Sequence, residues 1–250
     1  MRIAVAGGTG VVGGHTVAAL RAAGHEPVVL SRARGVDLTQ AGKGLADALT
    51  GCAAVVDVTS VQTTRASVSE QFFGTVTRSL LDAERAAGVP HHVVLSIVGA
   101  AEVPAAYYAG KALQERMVQE AQTGWSILRA AQFHEFAAQL AARSKPGRLR
   151  LVPAMKSQPV AAAEVGEALA AIAAGEPRGL DRDLAGPRVE DMPTLVRRYL
   201  AATGDRGRVL TVPLPGRWGR SLRDGTLLAG PGARLGAATF DDFLAGLPRP

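Results

Sequence analysis

Three glycines at a spacing of three, Gly7, Gly10 and Gly13, follow a short apolar run at the start of the chain. Glycine at such places lets a backbone turn tightly and meet a diphosphate with no Cβ in the way. The amino end of a following helix then offers unpaired N–H groups and a positive dipole to the anion. The G-x-x-G-x-x-G pattern between a strand and a helix therefore points to a dinucleotide site. Thr9 adds a hydroxyl donor, and Val11 and Val12 belong to the same turn. A second apolar run, Pro27-Val28-Val29-Leu30, ends in Ser31-Arg32 without a carboxylate. An Asp or Glu there would accept from a ribose 2′-hydroxyl, whereas Ser31, Arg32 and Arg34 would donate to a 2′-phosphate. The expected cofactor is NADP(H). Asp37, just before Leu38, either faces the adenine amine or begins a turn. Leu38 and the stretch Val58-Thr59-Ser60 complete this expected cofactor-binding set.

Ser96 lies near the end of another apolar run, and the carboxyl end of such a strand is where a ligand crevice is expected. Tyr107 and Lys111 lie four residues apart on the next helical stretch and share one face. An ammonium near a phenol lowers the phenol's pKa, and a tyrosine tuned in this way passes a proton to a carbonyl oxygen as hydride arrives. Ser96 can hold the same oxygen. Tyr108 is an immediate competitor, about 100° around an ideal helix from Tyr107.

These residues need a scaffold that brings strand ends together. Apolar runs at 3–6, 26–30, 53–58, 92–97 and 125–129 suit strands buried on both faces. Helical stretches separate them: Val11 to Ala23, one carrying Val68, Phe72, Val76, Leu80 and Ala83, and Tyr107 to Gln122. The alternation predicts an α/β fold, a Rossmann-like doubly wound parallel sheet with helices on both faces. After about residue 140 Pro146-Gly147, Pro153 and Pro159 break the rhythm. Helices are expected near Glu164 to Ala173, Met192 to Ala202 and Thr239 to Leu244, while the stretch from Pro213 to Pro231 is rich in Gly, Pro and Arg. The expected organisation is a cofactor-binding domain over 1–140 and a smaller substrate-binding lobe over 141–250.

Composition narrows the function classes. Of 250 residues, 47% are apolar and 20% charged, enough for a large core. A single cysteine, Cys52, permits no internal disulfide and favours a reducing, cytoplasmic setting. The start of the chain reads as a strand rather than a targeting peptide, and no apolar run reaches the roughly 20 residues of a membrane span. The formal charge of +6 is spread over scattered arginines, so a solvated basic surface is expected rather than nucleic-acid binding. The neighbours His91 and His92 point apart on a strand and do not suggest a metal site. The polar residues of the Tyr107 helix (Lys111, Gln114, Glu115, Arg116, Gln119, Glu120) suggest a solvated surface and a monomer.

Taken together, the strings Gly7-Gly8-Thr9-Gly10-Val11-Val12-Gly13, Leu95-Ser96-Ile97-Val98-Gly99, Tyr107-Tyr108-Ala109-Gly110-Lys111 and Leu128-Arg129-Ala130-Ala131-Gln132-Phe133 resemble the short-chain dehydrogenase/reductase superfamily, in its atypical NmrA-like branch. The likeness covers roughly residues 1–135 and continues loosely into Gln158-Pro159-Val160 and Ala185-Gly186-Pro187. It implies an NAD(P) cofactor and a variable carboxyl-terminal lobe over a small-molecule substrate. It implies that Ser96 holds the substrate oxygen, Tyr107 donates the proton and Lys111 binds the cofactor ribose. Gln132 and Phe133 would then lie by the nicotinamide, and Phe136 near a substrate. Many relatives add a helix-borne asparagine to the proton relay, and this chain contains no asparagine. Some NmrA-like relatives lack the tyrosine and act as redox-sensing regulators.

Overall fold

The computed structural model describes residues 1–40, 44–143 and 148–248; Pro146-Gly147 lies outside them. The first elements alternate as the apolar runs require: β1 (Arg2–Ala6), α1 (Val11–Ala22), β2 (Glu26–Leu30), α2 (Gly44–Leu49), β3 (Cys52–Asp57), α3 (Ala66–Ala87), β4 (His91–Ile97), α4 (Tyr107–Gln119) and β5 (Gly124–Ala130). Then come α5 (Glu135–Arg143), β6 (Leu149–Pro153), β7 (Lys156–Ser157), α6 (Ala162–Ala173), β8 (Gly179–Leu180), β9 (Leu184–Ala185), β10 (Glu190–Asp191), α7 (Met192–Ala202), β11 (Arg208–Val212), α8 (Gly216–Asp224), β12 (Arg234–Leu235) and α9 (Phe240–Ala245).

The chain forms two compact units, Met1–Arg129 with Ala162–Arg182, and Ala130–Ala161 with Asp183–Pro250. The sequence reading places one boundary at residue 140; here the chain leaves the first unit at Arg129 and returns to it for α6 and β8. α6 returns because it is apolar on more than one side. Its Gly166 lies so close to His15 of α1 that a Cβ would meet that backbone at 2.8 Å.

In the first unit the strand order is β8-β5-β4-β3-β1-β2. β1 pairs in parallel with both β2 and β3, β3 with β4, and β5 with β8. The chain steps outward from β1 to β2 and then crosses back to β3, so the order reverses between β1 and β3. A doubly wound sheet opens its ligand crevice at the carboxyl ends of such strands. Ala4, Ala6 and Val55 pack with Leu45, Leu49, Val76 and Leu80 of α2 and α3. The alternation of the strands sends the buried Ile3, Val5 and Val56 to the other face. This is a Rossmann-like α/β fold. α3 ends at Gly88, whose left-handed φ of 70° is the stop that the Gly88-Val89-Pro90 string announces.

In the second unit β6 and β11 form a parallel pair and β7 and β10 an antiparallel one. Phe133 bridges Val160, and Gly186 donates to the Gln158 carbonyl at 3.0 Å. α8 falls within the Gly-, Pro- and Arg-rich stretch. Only Gly219, Ser221 and Leu222 of it are buried, too few to imprint a helical apolar period on the sequence. α9 has a full capping box between Thr239 and Asp242. Among the described residues no helix is long and apolar enough to cross a membrane.

Candidate functional site

The glycine loop is shaped by its own backbone. Gly7 has φ +80°, a conformation that disfavours any side chain. Its N–H donates to the Leu30 carbonyl at 3.0 Å, and its carbonyl accepts from Gly10 at 2.9 Å. A Cβ on Gly13 would overlap that same Gly7 carbonyl oxygen. No side chain caps the amino end of α1. Its first N–H groups therefore lack intrahelical partners and sit beside the exposed Thr9, Gly10 and Val11, while Val12 is buried. An open helix terminus preceded by a loop whose one side chain is the exposed, hydroxyl-bearing Thr9 fits a diphosphate.

The end of β2 adds a second feature. Ser31 is buried, and its hydroxyl has no partner. Arg32 and Arg34 are exposed on a single 3-10 turn, with no ion-pair partner among the described residues. Asp37 begins a turn: one carboxylate oxygen accepts from the Thr39 amide at 2.9 Å and the Thr39 hydroxyl at 2.7 Å. Those two bonds, with the Arg32 charge, hold its carboxyl below the usual range. Leu38 packs into the core under α2. The orphaned Ser31 hydroxyl and the two free guanidiniums fit the ribose end of a phosphorylated dinucleotide.

The loop after β3 joins the glycine loop to α4. Val58 donates to the Ala6 carbonyl at 3.0 Å, and its own carbonyl lies 3.0 Å from where a Gly7 Cβ would be. Asp57, fully buried, accepts from the Thr59 amide at 2.8 Å and the Thr59 hydroxyl at 2.7 Å. Ser60 follows, exposed, with its hydroxyl 3.3 Å from the Tyr107 hydroxyl. Tyr107 is the first residue of α4 and half-buried. Its carbonyl accepts from Ser69 at 2.8 Å, and its ring meets Phe73 edge-on at 5.4 Å. Gly110 makes this close packing possible, because a Cβ there would overlap Ser69. Tyr108 is buried.

The Tyr–Lys couple expected from the i, i+4 spacing is not formed. Lys111 is buried and its ammonium turns inward. It donates to the Leu95 carbonyl at 2.8 Å and to Gln114 at 2.7 Å, 4.2 Å above the Phe73 ring. Gln114 in turn donates to the second Asp57 oxygen at 2.8 Å and to Thr77 at 3.1 Å. Spacing placed Lys111 on the right face but not its acceptors, which come from β4 and from one turn further along α4. Burial pushes the Lys111 ammonium down to about 8, against the charges of Asp57 and Glu115. Burial pushes the Tyr107 phenol up to about 12, although the Ser60 bond pulls the other way and Asp57 adds to the rise. The expected lowering of the phenol is thereby reversed.

Ser96 is buried at the end of β4 with an unpartnered hydroxyl. Gln132 and Phe133 belong to the second unit. Gln132 is buried there and accepts from Ser157 at 3.0 Å. His91 and His92 are both buried and diverge, His91 to Ser126 at 2.9 Å and His92 to Glu84 at 2.7 Å. His134 is buried against Phe240 and Phe243. The polar residues of α4 also differ from expectation: Lys111, Gln114 and Glu115 are interior, Glu115 held by Arg129 in two bonds of 2.9 and 2.6 Å. Asp57 and Gln114 are the members of the site that the sequence reading missed. The available signals were a carboxylate closing the apolar run Ala54-Val55-Val56 and a glutamine seven residues after Tyr107 on the same helix face.

No family model matches the chain, and no curated protein sequence matches it. Solved structures do. TunA, an NAD-dependent NDP-hexosamine 5,6-dehydratase of tunicamycin biosynthesis, is 18% identical with a TM-score of 0.73, over 98% of this chain and 95% of that one. UDP-glucose 4-epimerase of Thermus thermophilus in complex with NAD is 20% identical with a TM-score of 0.67, over 99% and 100%. A short-chain dehydrogenase/reductase superfamily protein of Agrobacterium tumefaciens with bound NAD is 20% identical with a TM-score of 0.67, over 98% and 95%. At these identities the likeness is one of architecture: the chain has the Rossmann-like α/β fold of these proteins.

Proposed function

We propose that the chain is an NADP(H)-dependent oxidoreductase of the atypical, NmrA-like short-chain dehydrogenase/reductase type, reducing a carbonyl, quinone or conjugated small molecule. One observation carries this reading. The β3–α3 loop packs on the glycine loop through Val58 and reaches the Tyr107 phenol through Ser60. A dinucleotide cradle and a proton donor therefore share one end of the sheet. The solved proteins of the same fold that are described with NAD support the cofactor class.

In this reading the uncapped end of α1 and the glycine backbone hold the diphosphate, and Ser31, Arg32 and Arg34 hold the 2′-phosphate. When bound, the cofactor supplies the hydride. The high phenol pKa keeps Tyr107 protonated at neutral pH, the state required to donate to a carbonyl oxygen. The free Ser96 hydroxyl steadies that oxygen. Lys111, with its ammonium directed inward, serves α4 rather than the ribose. The support for a monomer drawn from a polar α4 surface falls away, since Lys111, Gln114 and Glu115 are buried.

Titration with both cofactors tests the reading: NADP(H) should bind at least about tenfold more tightly than NAD(H), a difference of about 1.4 kcal/mol. Equal or tighter NAD(H) binding removes the 2′-phosphate assignment. A panel of acceptors with NADPH consumption as readout tests the activity, and Tyr107→Phe should lower kcat at least about hundredfold, to a residual but measurable turnover, without weakening cofactor binding. The inward Lys111 favours one second reading, a non-catalytic NADP(H) sensor. Silence across the panel, with one redox form bound far more tightly than the other, would select it.

A further inference from the structure

The relay expected for Tyr107 runs through a lysine, and here that lysine is committed elsewhere. Lys111 donates to two interior acceptors, the Leu95 carbonyl and Gln114. The groups around the phenol are Ser60 from the β3–α3 loop, Phe73 from α3 and, through its charge, Asp57 at the end of β3. Of these, Ser60 is the one with a proton to exchange, and it is exposed to water. Its loop is not loose. The preceding residue, Thr59, is fixed by two bonds to Asp57, and Asp57 is fixed by Gln114, which also holds Lys111.

We propose that Ser60 is the positioning residue of Tyr107, orienting its hydroxyl and connecting it to solvent, and that the Lys111–Gln114–Asp57–Thr59 chain holds the loop that presents it. The proposal rests on the oxidoreductase reading for its chemical step. As a substrate oxygen is reduced, the Tyr107 O–H bond breaks and its proton goes to that oxygen. Ser60 returns a proton to the phenolate while taking one from water, so the net change is one solvent proton delivered to product and none left on the protein. Ser60 acts as a donor to the phenolate, and its bond therefore pulls the phenol's pKa downward against burial.

Two measurements decide it. In a double-mutant cycle, Ser60→Ala should lower kcat about tenfold, Ser60→Thr should restore most of it, and Ser60→Ala should cost nothing further in a Tyr107→Phe background. An equal loss in the Phe background would assign Ser60 to cofactor binding or folding and overturn the proposal. The second measurement needs neither cofactor nor activity. In protein labelled with 13Cζ-tyrosine, with the Tyr107 signal identified by its loss in Tyr107→Phe, an alkaline titration should show later ionisation in Ser60→Ala than in the parent or in Ser60→Thr. Identical titrations would overturn the proposal even in an active enzyme. A shifted titration in a protein that reduces no acceptor would instead uphold Ser60 as the phenol's partner and remove the oxidoreductase reading.

Discussion

The glycine loop and the amino end of α4 serve the same end of one sheet but are held by different means. Around Gly7 the shape is almost wholly backbone: positive φ, carbonyls and amides bonded to neighbouring strand ends, and no room for side chains. Around Tyr107 the shape depends on buried polar side chains, with Asp57, Gln114 and Lys111 chained beneath the helix. A backbone cradle tolerates change wherever side chains point away from it. A buried polar chain fails as a unit when one link is removed, because each remaining charge is left in low dielectric.

The largest effect should follow from cutting that chain. Gln114→Leu preserves the helix but leaves Asp57 and Lys111 without their shared partner, and should cost about 4 kcal/mol of stability by urea unfolding. A cost under about 1 kcal/mol would mean that α4 is held by packing alone. The pH dependence follows from the same burial. The folded Lys111 titrates near 8 against 10.5 for a free lysine, so between those values the unfolded chain binds the extra proton. Stability should therefore rise with pH across that window, by about 3 kcal/mol if Lys111 acts alone. Urea midpoints at successive pH values should show this rise in the parent and lose it in Lys111→Met. A flat parent profile would mean that the ammonium is better solvated than its burial indicates.

On the cradle side the contrast is between adjacent glycines. Gly13→Ala should cost about 2 kcal/mol and weaken NADP(H) at least about tenfold, because its Cβ meets the Gly7 carbonyl. Gly14 has nothing within 4 Å and lies inside α1, so Gly14→Ala should stabilise by about 0.7 kcal/mol and leave binding unchanged. If both variants bind alike, the loop is not the diphosphate cradle.

This contrast also explains what could be read from the residues alone. Gly7, Gly10 and Gly13 announce a loop because their requirement is local: a turn and a close approach need glycine whatever surrounds them. Tyr107 and Lys111 announce only a shared helix face. The direction of the lysine depends on the Leu95 carbonyl and Gln114, and no i, i+4 rule specifies an acceptor on another strand. The five main strands were visible as apolar runs, since strands covered on both faces carry few polar residues. α8 was not visible, although Pro215 before it and Gly225 after it, at φ 94°, are ordinary start and stop signals.

The last effect tests a place where the two regions nearly converge. Gly7 stands where the proposed cradle turns with a positive φ, but α4 begins after an alanine in a comparable state. Ala106 has φ 52° and ψ −125°, and no other non-glycine among the described residues has a positive φ. Tyr108 donates to the Ala105 carbonyl at 3.0 Å, which closes a turn around Ala106 and Tyr107. Those dihedrals match the first central position of a type II′ turn, where glycine is preferred. An alanine there stores about 1–3 kcal/mol of strain, while a glycine adds back about 0.5–1 kcal/mol of unfolded-chain entropy. Ala106→Gly should therefore stabilise the protein by about 1 kcal/mol, a rise of about 3 °C in Tm for a chain of this size. Ala106→Val should destabilise it by more than that, since branching at Cβ tightens the same clash. The strain sits one residue before the proposed proton donor, so the glycine variant also shows whether it fixes the phenol. An unchanged Tyr107 titration in Ala106→Gly would assign the positioning to Ser60 and Ser69 alone. A lowered Tm would mean that Ala106 is unstrained and that glycine's extra freedom dominates.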